Sequence, residues 1–271
     1  MTMSQDTPNS RRRFFKVLGL TTAGTALGAQ AGPYSMYPQR GYPPEGPFPP
    51  YGWPSPPMPY GEAPYVAGST PDEGSVASAE EALARLVEGN RRYVAFRSSN
   101  VNETPTRRAA VSQSQKPFAI VFSCVDSRVP PELVFDRGLG DLLVIRTAGH
   151  TVDKVVLGSL EFGVAVLKIP LLVVMGHERC GAVKSSLELI GKNETAPAEI
   201  NDVVEGIRPA VERFKGQGVE VIEQVTKANT EITVERLKQI PIMAEAISQG
   251  RLLVVGAYCD LDTGAVHLSH V

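Results

Sequence analysis

The chain has 271 residues and a formal net charge of −2, with 27 basic and 29 acidic side chains. This near balance argues against a nucleic-acid-binding protein, which needs an excess of positive charge on one surface. The sequence has three cysteines, an odd and small number that argues against an exported fold built on disulfide bonds. We therefore expect the thiols to serve another purpose.

The first 31 residues have the three-part layout of an export signal. A basic segment precedes an uncharged, weakly apolar stretch, which ends in AQAG, a small-residue cleavage pattern. SRRRFFK at 10–16 closely resembles the twin-arginine signal, and the apolar stretch is short for a membrane span of about 20 residues. We expect residues 1–31 to be a twin-arginine signal peptide. The protein would then be exported to the periplasm or a thylakoid lumen, without a permanent membrane span after signal removal.

Residues 32–77 are rich in proline, glycine and tyrosine and include Trp53, the single tryptophan of the sequence. Proline fixes φ and removes a backbone donor, and few aliphatic side chains remain to build a core. This composition predicts an extended, disordered linker. The alternative is a segment that docks on the cell wall or on a proline-binding partner. Residues 78–271 would then form one domain, long enough to bury a substantial core.

From residue 78 onward, helical patterns alternate with short apolar runs. Continuous apolar stretches such as FAIVFSC are typical of strands buried on both faces of a sheet. The alternation predicts an α/β fold with a mostly parallel central sheet flanked by helices, and a final antiparallel edge strand after the turn DLDTG. Helices are predicted over 78–97, 153–168, 180–190, 198–214, 219–237 and 241–250, and strands over 118–124, 141–147, 170–177, 251–259 and 265–269.

Two of the predicted strands end in reactive side chains. The first runs into Cys124, with Asp126 and Arg128 after it, and the third runs into His177, with Cys180 three residues later. Parallel strands bring their carboxyl ends to one edge of the sheet. Two thiolates and an imidazole favour zinc, and three protein ligands leave a fourth position open, as a catalytic zinc requires. The alternatives are a buried structural thiol, a histidine bonded to the backbone and a purely structural Asp126–Arg128 ion pair.

The motif order C-x-D-S-R, R-x-A-G, G-S-L-E-[FY], G-H-x-x-C-G and G-A-Y-x-D-L-x-T-G resembles the β-class carbonic anhydrases across essentially all of the predicted domain. The resemblance implies reversible hydration of CO₂ to bicarbonate and a proton by a zinc-bound hydroxide, with one zinc per subunit. It implies that Cys124, His177 and Cys180 are the zinc ligands. Arg128 would orient Asp126 to accept a hydrogen bond from the hydroxide, and in a closed state Asp126 would be the fourth ligand.

The same resemblance implies a substrate pocket and an oligomer. Gln115 matches a glutamine with which the plant-like subclass binds substrate, often across a dimer interface, although an ordinary surface glutamine is the alternative. Gly181 would present its backbone N–H to the bound anion at a helix start. Leu143 and Phe162 stand where the subclass has Phe and Tyr, so the CO₂ pocket stays apolar but changes shape and has one hydroxyl fewer. We expect a homodimer or a higher homo-oligomer.

Two further positions depart from the family pattern. His150 stands where Asn is common, and it either relays protons or is a hydrogen-bonded loop residue. Cys259 stands where Tyr is usual and is expected to be a packed core thiol. The altered pocket leaves two other functions open, hydrolysis of CS₂ or COS at the same metal site and a catalytically silent zinc protein such as a bicarbonate sensor or an envelope protein. A thiol redox protein is disfavoured because the sequence has no C-x-x-C.

Overall fold

A computed structural model describes residues 76–269 of the chain. The predicted signal peptide and all but two residues of the predicted linker lie outside the described residues. Within the described part, no helix is long and apolar enough to cross a membrane. The helices are α1 Ala79–Val94, α2 Pro105–Ala110, α3 Pro131–Val134, α4 Lys154–Ala165, α5 Gly181–Gly191, α6 Ile200–Glu212, α7 Ile222–Lys238 and α8 Pro241–Ser248, with 3₁₀ turns at Ala148–His150 and Val219–Val221. The strands are β1 Ala119–Cys124, β2 Leu142–Thr147, β3 Leu171–His177, β4 Leu253–Cys259 and β5 Val266–Ser269.

The five strands form one sheet in the order β2-β1-β3-β4-β5. β1 pairs in parallel with β2 and β3, and β3 pairs in parallel with β4, while β5 pairs antiparallel with β4 at one edge. The predicted fold class is therefore confirmed. Every residue of the central strands β1 and β3 is buried, whereas edge strand β2 is only partly buried along its length.

Alternate residues of the sheet supply two separate apolar layers. Ile120 and Phe122 of β1 pack in a cluster with Leu160 of α4 and Met243 of α8. Their neighbours on β1 point to the opposite face, where Val121 joins a cluster with Leu86 of α1. Both faces of the sheet are therefore covered, which explains why its strands read as continuous apolar runs rather than as alternating ones.

Element boundaries differ from the prediction at several places. α1 has the predicted Ser78 cap, whose hydroxyl accepts from Glu81 N–H, but it ends at Val94 because Phe96 adopts a φ of +54°. The helix predicted over 219–237 begins with a 3₁₀ turn, and α4 ends at Ala165 rather than 168. α2 and α3 were not predicted, since helices of six and four residues are too short to show a helical period.

Candidate metal centre

The sheet brings three buried candidate metal ligands to its carboxyl edge. β1 ends at Cys124 and β3 ends at His177, and the strands are neighbours in a register that pairs Ser123 with Met175. Cys180 follows in the loop after β3 and is the N-cap of α5. The Sγ, N and Sγ ligand atoms of Cys124, His177 and Cys180 all lie within 4.8 Å of one another. Ligand atoms of a tetrahedral zinc lie roughly 3.5–3.8 Å apart, so a small contraction completes the site.

The polar atoms of His177 fit metal binding. Nδ1 lies 2.9 Å from the carbonyl oxygen of Glu178, and since a carbonyl only accepts, Nδ1 carries the proton. Nε2 then has a free lone pair, and it is buried without a hydrogen-bond partner among the described residues. A buried polar atom normally has a partner. A metal ion held jointly with the two sulfurs would supply it, and the Nδ1 bond would orient the ring.

The two thiols also behave as a ligand pair. A hydrogen bond from Cys180, only partly opposed by burial, lowers the pKa of Cys124, and the same contact raises the pKa of Cys180. The pair therefore shares one proton, which a metal ion would displace. Both thiols are almost fully buried, at 4% and 1% exposure, and as free cysteines they form no disulfide.

Asp126 and Arg128 form a bidentate pair beside this set. Arg128 Nε donates to Asp126 Oδ1 at 2.9 Å and Nη2 donates to Oδ2 at 2.8 Å, while the Arg128 backbone N–H adds a bond of 3.0 Å. These hydrogen bonds lower the pKa of Asp126 to about 2. Asp126 Oδ2 lies 3.9 Å from His177 Nε2. The Asp126–Arg128 pair therefore lies beside the candidate metal ligands and is not a purely structural ion pair in a distant turn.

Two arginines without a predicted role support the centre. Arg146 on β2 donates to the carbonyl oxygens of Cys124 at 2.8 Å and Asp126 at 2.5 Å. It is the arginine of the R-x-A-G motif, and that motif was its only sequence signal. The carbonyl of Arg179 accepts from Arg128 Nη2 at 3.4 Å, and the Arg179 side chain is paired with Asp262 in the β4–β5 turn. The loop after β1 is therefore tied to β2, and the loop after β3 is tied to the β4–β5 turn.

His150 and Cys259 are both internal residues. His150 is 1% exposed, its Nε2 lies 2.9 Å from Asn229 Nδ2, and burial lowers its pKa to about 4. A neutral, enclosed ring of this kind favours the hydrogen-bonded residue over the proton relay. Cys259 is 1% exposed in an apolar cluster, and burial raises its pKa to about 11. It is the packed core thiol that was predicted.

The predicted substrate residues lie in two places. Gly181 is exposed at the first position of α5, next to Cys180. Gln115 is exposed in the segment before β1, and Leu143 pairs with Ile120 near the amino ends of β1 and β2. Phe162 lies on α4 beside Gly163, where an added Cβ would sit 2.7 Å from Ile120 and 2.8 Å from Leu143. Within one chain, the amino edge of the sheet therefore holds Gln115, Leu143 and Phe162, away from the candidate metal ligands.

Comparison with known proteins agrees with this geometry. A family model described as carbonic anhydrase matches residues 119–266, a range that holds all three candidate metal ligands. The chain is 39% identical over 188 residues to a carbonic anhydrase of Mycolicibacterium smegmatis, which covers 69% of this chain and 91% of that protein. With the same coverage it is 40% identical to carbonic anhydrase 2 of Mycobacterium tuberculosis.

Solved structures show the same likeness. The β-carbonic anhydrase CcaA is similar with a TM-score of 0.57 and 25% identity, over 69% of this chain and 95% of that one. A Coccomyxa β-carbonic anhydrase in complex with acetazolamide is similar with a TM-score of 0.56 and 28% identity, over 69% of this chain and 85% of that one. Sequence, fold and ligand geometry thus agree, and this chain belongs to the β-class carbonic anhydrase family.

Proposed function

We propose that this chain is a zinc-dependent carbonic anhydrase that catalyses the reversible hydration of CO₂ to bicarbonate and a proton. The observation that carries the proposal is the buried Cys124, His177 and Cys180 set, whose donor atoms lie within 4.8 Å of one another. An ionised carboxylate, Asp126, lies 3.9 Å from the His177 ligand atom and is held there by Arg128. The family and the relatives described above support the same reaction.

Each residue of the centre has a separate part in this reaction. Cys124, His177 and Cys180 would hold one zinc ion per subunit, and bound zinc lowers the pKa of a coordinated water to about 7. Asp126 is ionised at neutral pH, because its pKa is about 2, and an ionised carboxylate can only accept hydrogen bonds. It therefore orients a water molecule by accepting one of its hydrogens.

Arg128 determines whether the centre is open. Its guanidinium engages both carboxylate oxygens of Asp126, and such a bidentate pair fixes the plane of the carboxylate. Held in this way, Asp126 does not rotate towards the three ligands to occupy the fourth position. The arrangement supports an open site rather than the closed state in which aspartate is the fourth ligand.

Gly181 is placed to receive the anionic product. It opens α5 directly after Cys180 and is exposed, and the backbone N–H groups at a helix start lack partners within the helix. A bicarbonate ion beside the metal ligands would accept from this N–H and would be favoured by the positive end of the helix dipole.

We place Gln115, Leu143 and Phe162 in the substrate pocket of a neighbouring subunit. Leu143 lies opposite Ile120 on β1, four residues and roughly 13 Å from Cys124, and Gln115 precedes the strand, so these side chains are too far away to reach their own metal ligands. A composite site requires at least a homodimer. The exposed face of α4 supports one, since Val155, Phe162 and the C-cap residue Val166 recur at helical spacing and are 77%, 48% and 60% exposed.

The finer assignments follow from these residues. Gln115 and the open Asp126–Arg128 pair support the plant-like subclass.

For the segments outside the described residues, the SRRRFFK stretch at 10–16 supports a twin-arginine signal over residues 1–31 and an extracytoplasmic location. The Ser78 cap on α1 supports a domain that starts at 78, after a linker over 32–77.

Stopped-flow CO₂ hydration on the purified full chain, with zinc quantified, tests the function. We expect activity in proportion to one zinc per subunit, with inhibition by acetazolamide, and with COS and CS₂ acting as weak competitors. Faster turnover of COS or CS₂ than of CO₂ would reassign the substrate. Stoichiometric zinc without turnover of any of the three would instead favour a silent zinc protein.

A further inference from the structure

A chain of buried hydrogen bonds runs from helix α7 to one of the metal thiols. Asn229 Nδ2 on α7 donates to the carbonyl oxygen of Gly149 at 3.0 Å, and the Gly149 N–H donates to Cys124 Sγ at 3.3 Å. Asn229 is 3% exposed and Cys124 is 4% exposed. Because water does not compete for these groups, the bonds are stronger than they would be at the surface.

The chemistry of the partners determines how the Asn229 amide is turned. A carbonyl oxygen only accepts, so the nitrogen and not the oxygen of the amide must face Gly149. The same nitrogen lies 2.9 Å from His150 Nε2 and has a second hydrogen to donate there. His150 Nε2 must then be unprotonated, which agrees with the neutral ring that burial produces. One side chain therefore holds two consecutive residues of the turn.

This turn needs support from its surroundings because His150 is strained: glycine tolerates the left-handed region, but a histidine rarely adopts it. Gly149 has φ +60° and His150 has φ +43°, the left-handed region that side chains other than glycine rarely adopt. A Cβ at position 149 would lie 2.6 Å from Ile207 Cδ1, so only glycine fits. Strained turns persist where the surrounding structure determines them. If the turn relaxed, the Gly149 N–H would move away from the sulfur.

We propose that Asn229 is a positioning residue for the metal centre. Its amide fixes the Ala148–His150 turn so that the Gly149 N–H stays aimed at Cys124 and stabilises the thiolate as a metal ligand. Groups that hydrogen-bond to metal ligands commonly change metal affinity by 10–100-fold when removed, and hydrogen bonds to ligand sulfurs tune the electronic properties of the site. The inference rests on the proposed metal site but not on the identity of the substrate.

The test uses Asn229→Leu in the full chain, since leucine has the same branching but no donors. We expect zinc affinity, measured by chelator competition, to fall about tenfold or more. In the cobalt(II)-substituted protein, the thiolate-to-cobalt charge-transfer band should move to lower energy, because a sulfur without its hydrogen bond holds its lone pairs less tightly. Thr226→Val is the matched control: Thr226 is also buried on α7, but its hydroxyl donates to Ile222 O within the helix at 2.8 Å.

The proposal is overturned if folded Asn229→Leu keeps its zinc affinity and its charge-transfer band. It is also overturned if Thr226→Val changes both properties to the same extent. If Asn229→Leu does not fold, Asn229→Asp decides by the same two measurements, since its carboxylate cannot donate to the Gly149 carbonyl and repels it. If neither folds, NMR of the cadmium-113 form of the natural chain decides, and absence of a coupling between the Gly149 N–H and cadmium overturns the idea. If zinc affinity and the cobalt band change as expected but the natural chain does not hydrate CO₂, the proposed substrate is wrong and the role of Asn229 stands.

Discussion

In the proposed centre, Arg128 acts through Asp126 and not through the candidate metal ligands themselves. Its guanidinium occupies both oxygens of Asp126 and also reaches the Arg179 carbonyl at 3.4 Å. It is half exposed, at 50% of its side-chain surface. A surface ion pair in that setting adds little to stability, so its value lies in where it holds the carboxylate.

Arg128→Ala should therefore separate metal binding from catalysis. Zinc content should stay near one per subunit, because all three ligands remain. CO₂ hydration should fall roughly a hundredfold or more, since Asp126 is released to rotate and no longer orients water. Stopped-flow turnover and metal analysis on the same sample measure both quantities, and Arg208→Ala, an exposed arginine paired on α6 with Glu205, is the control.

His177→Ala is the counterpart of that variant. It should lose both zinc and activity, because the buried nitrogen that completes the ligand set is removed. Near-normal turnover in Arg128→Ala would remove the pair from the mechanism, and stoichiometric zinc in His177→Ala would contradict the ligand assignment.

A buried acid that lies later in the chain holds the loop directly after α1. Asp136, directly after α3, accepts hydrogen bonds from Arg92 on α1 and from Ser99 and Asn100 in the following loop. Burial alone would raise the pKa of Asp136, but these hydrogen bonds outweigh it and lower the pKa. This one carboxylate therefore ties the end of α1 to the loop that follows it.

Asp136→Ala should lower the free energy of unfolding by about 3 kcal/mol or more, because it leaves the Arg92 charge without its buried partner. Denaturant unfolding measures the loss. Since the folded-state pKa of Asp136 is depressed, its contribution is present above the unfolded-state pKa of about 3.9 and disappears as pH falls through the folded-state value. The difference between variant and natural chain should therefore shrink in acid. An equal loss at pH 7 and at the lowest pH reached would contradict this account.

The control for that experiment is Glu205→Ala, which removes an exposed i,i+3 pair with Arg208 on α6. It should leave the free energy of unfolding almost unchanged, because water solvates both partners.

The proposed second copy of the chain would cover apolar surface that one copy leaves exposed. α4 exposes an apolar stripe, edge strand β2 is only partly buried, and Gln115, Leu143 and Phe162 lie far from their own metal ligands. Apolar side chains at regular spacing on an outer helix face mark an interface more often than a free surface.

Val155→Asp combined with Val166→Asp should break this interface. Both side chains are exposed in one copy, so the monomer should fold, while two buried charges at the contact would oppose association. Sedimentation velocity should show a smaller species, and CO₂ hydration should fall with it. Val219→Asp, at a 44% exposed position away from α4, should change neither property. An unchanged sedimentation coefficient in the α4 variant would place the interface elsewhere.

Export is tested on the intact precursor. Arg11→Lys together with Arg12→Lys keeps the charge of the amino-terminal segment but removes the arginine pair of the SRRRFFK stretch. We expect the precursor to remain in the cytoplasm, measured by fractionation and immunoblotting, whereas Lys16→Arg should be exported. Normal export of the double variant would indicate a different signal.

Much of the candidate metal centre can be predicted from the amino-acid sequence. Continuous apolar runs identify strands buried on both faces, and reactive side chains directly after two of them predict a shared edge. Those rules place Cys124, His177 and Cys180 together, because parallel strands end on the same side whatever their exact register. Cys259 also ends an apolar strand, but it has no H-x-x-C context of its own, and for that reason the sequence predicts a packed thiol there rather than a ligand.

Folding decides the contacts that join residues far apart in the chain. No pattern in the sequence relates Asn229 to Gly149, or Asp136 to Arg92, since such hydrogen bonds depend on how helices pack and turn. His150 shows the difference most clearly, since its residue type permits a proton relay, but burial lowers its pKa and keeps it neutral, while Asn229 holds it by a hydrogen bond. Local periodicity thus predicts the sheet and its edge, whereas side-chain environment, and with it protonation, follows from long-range packing.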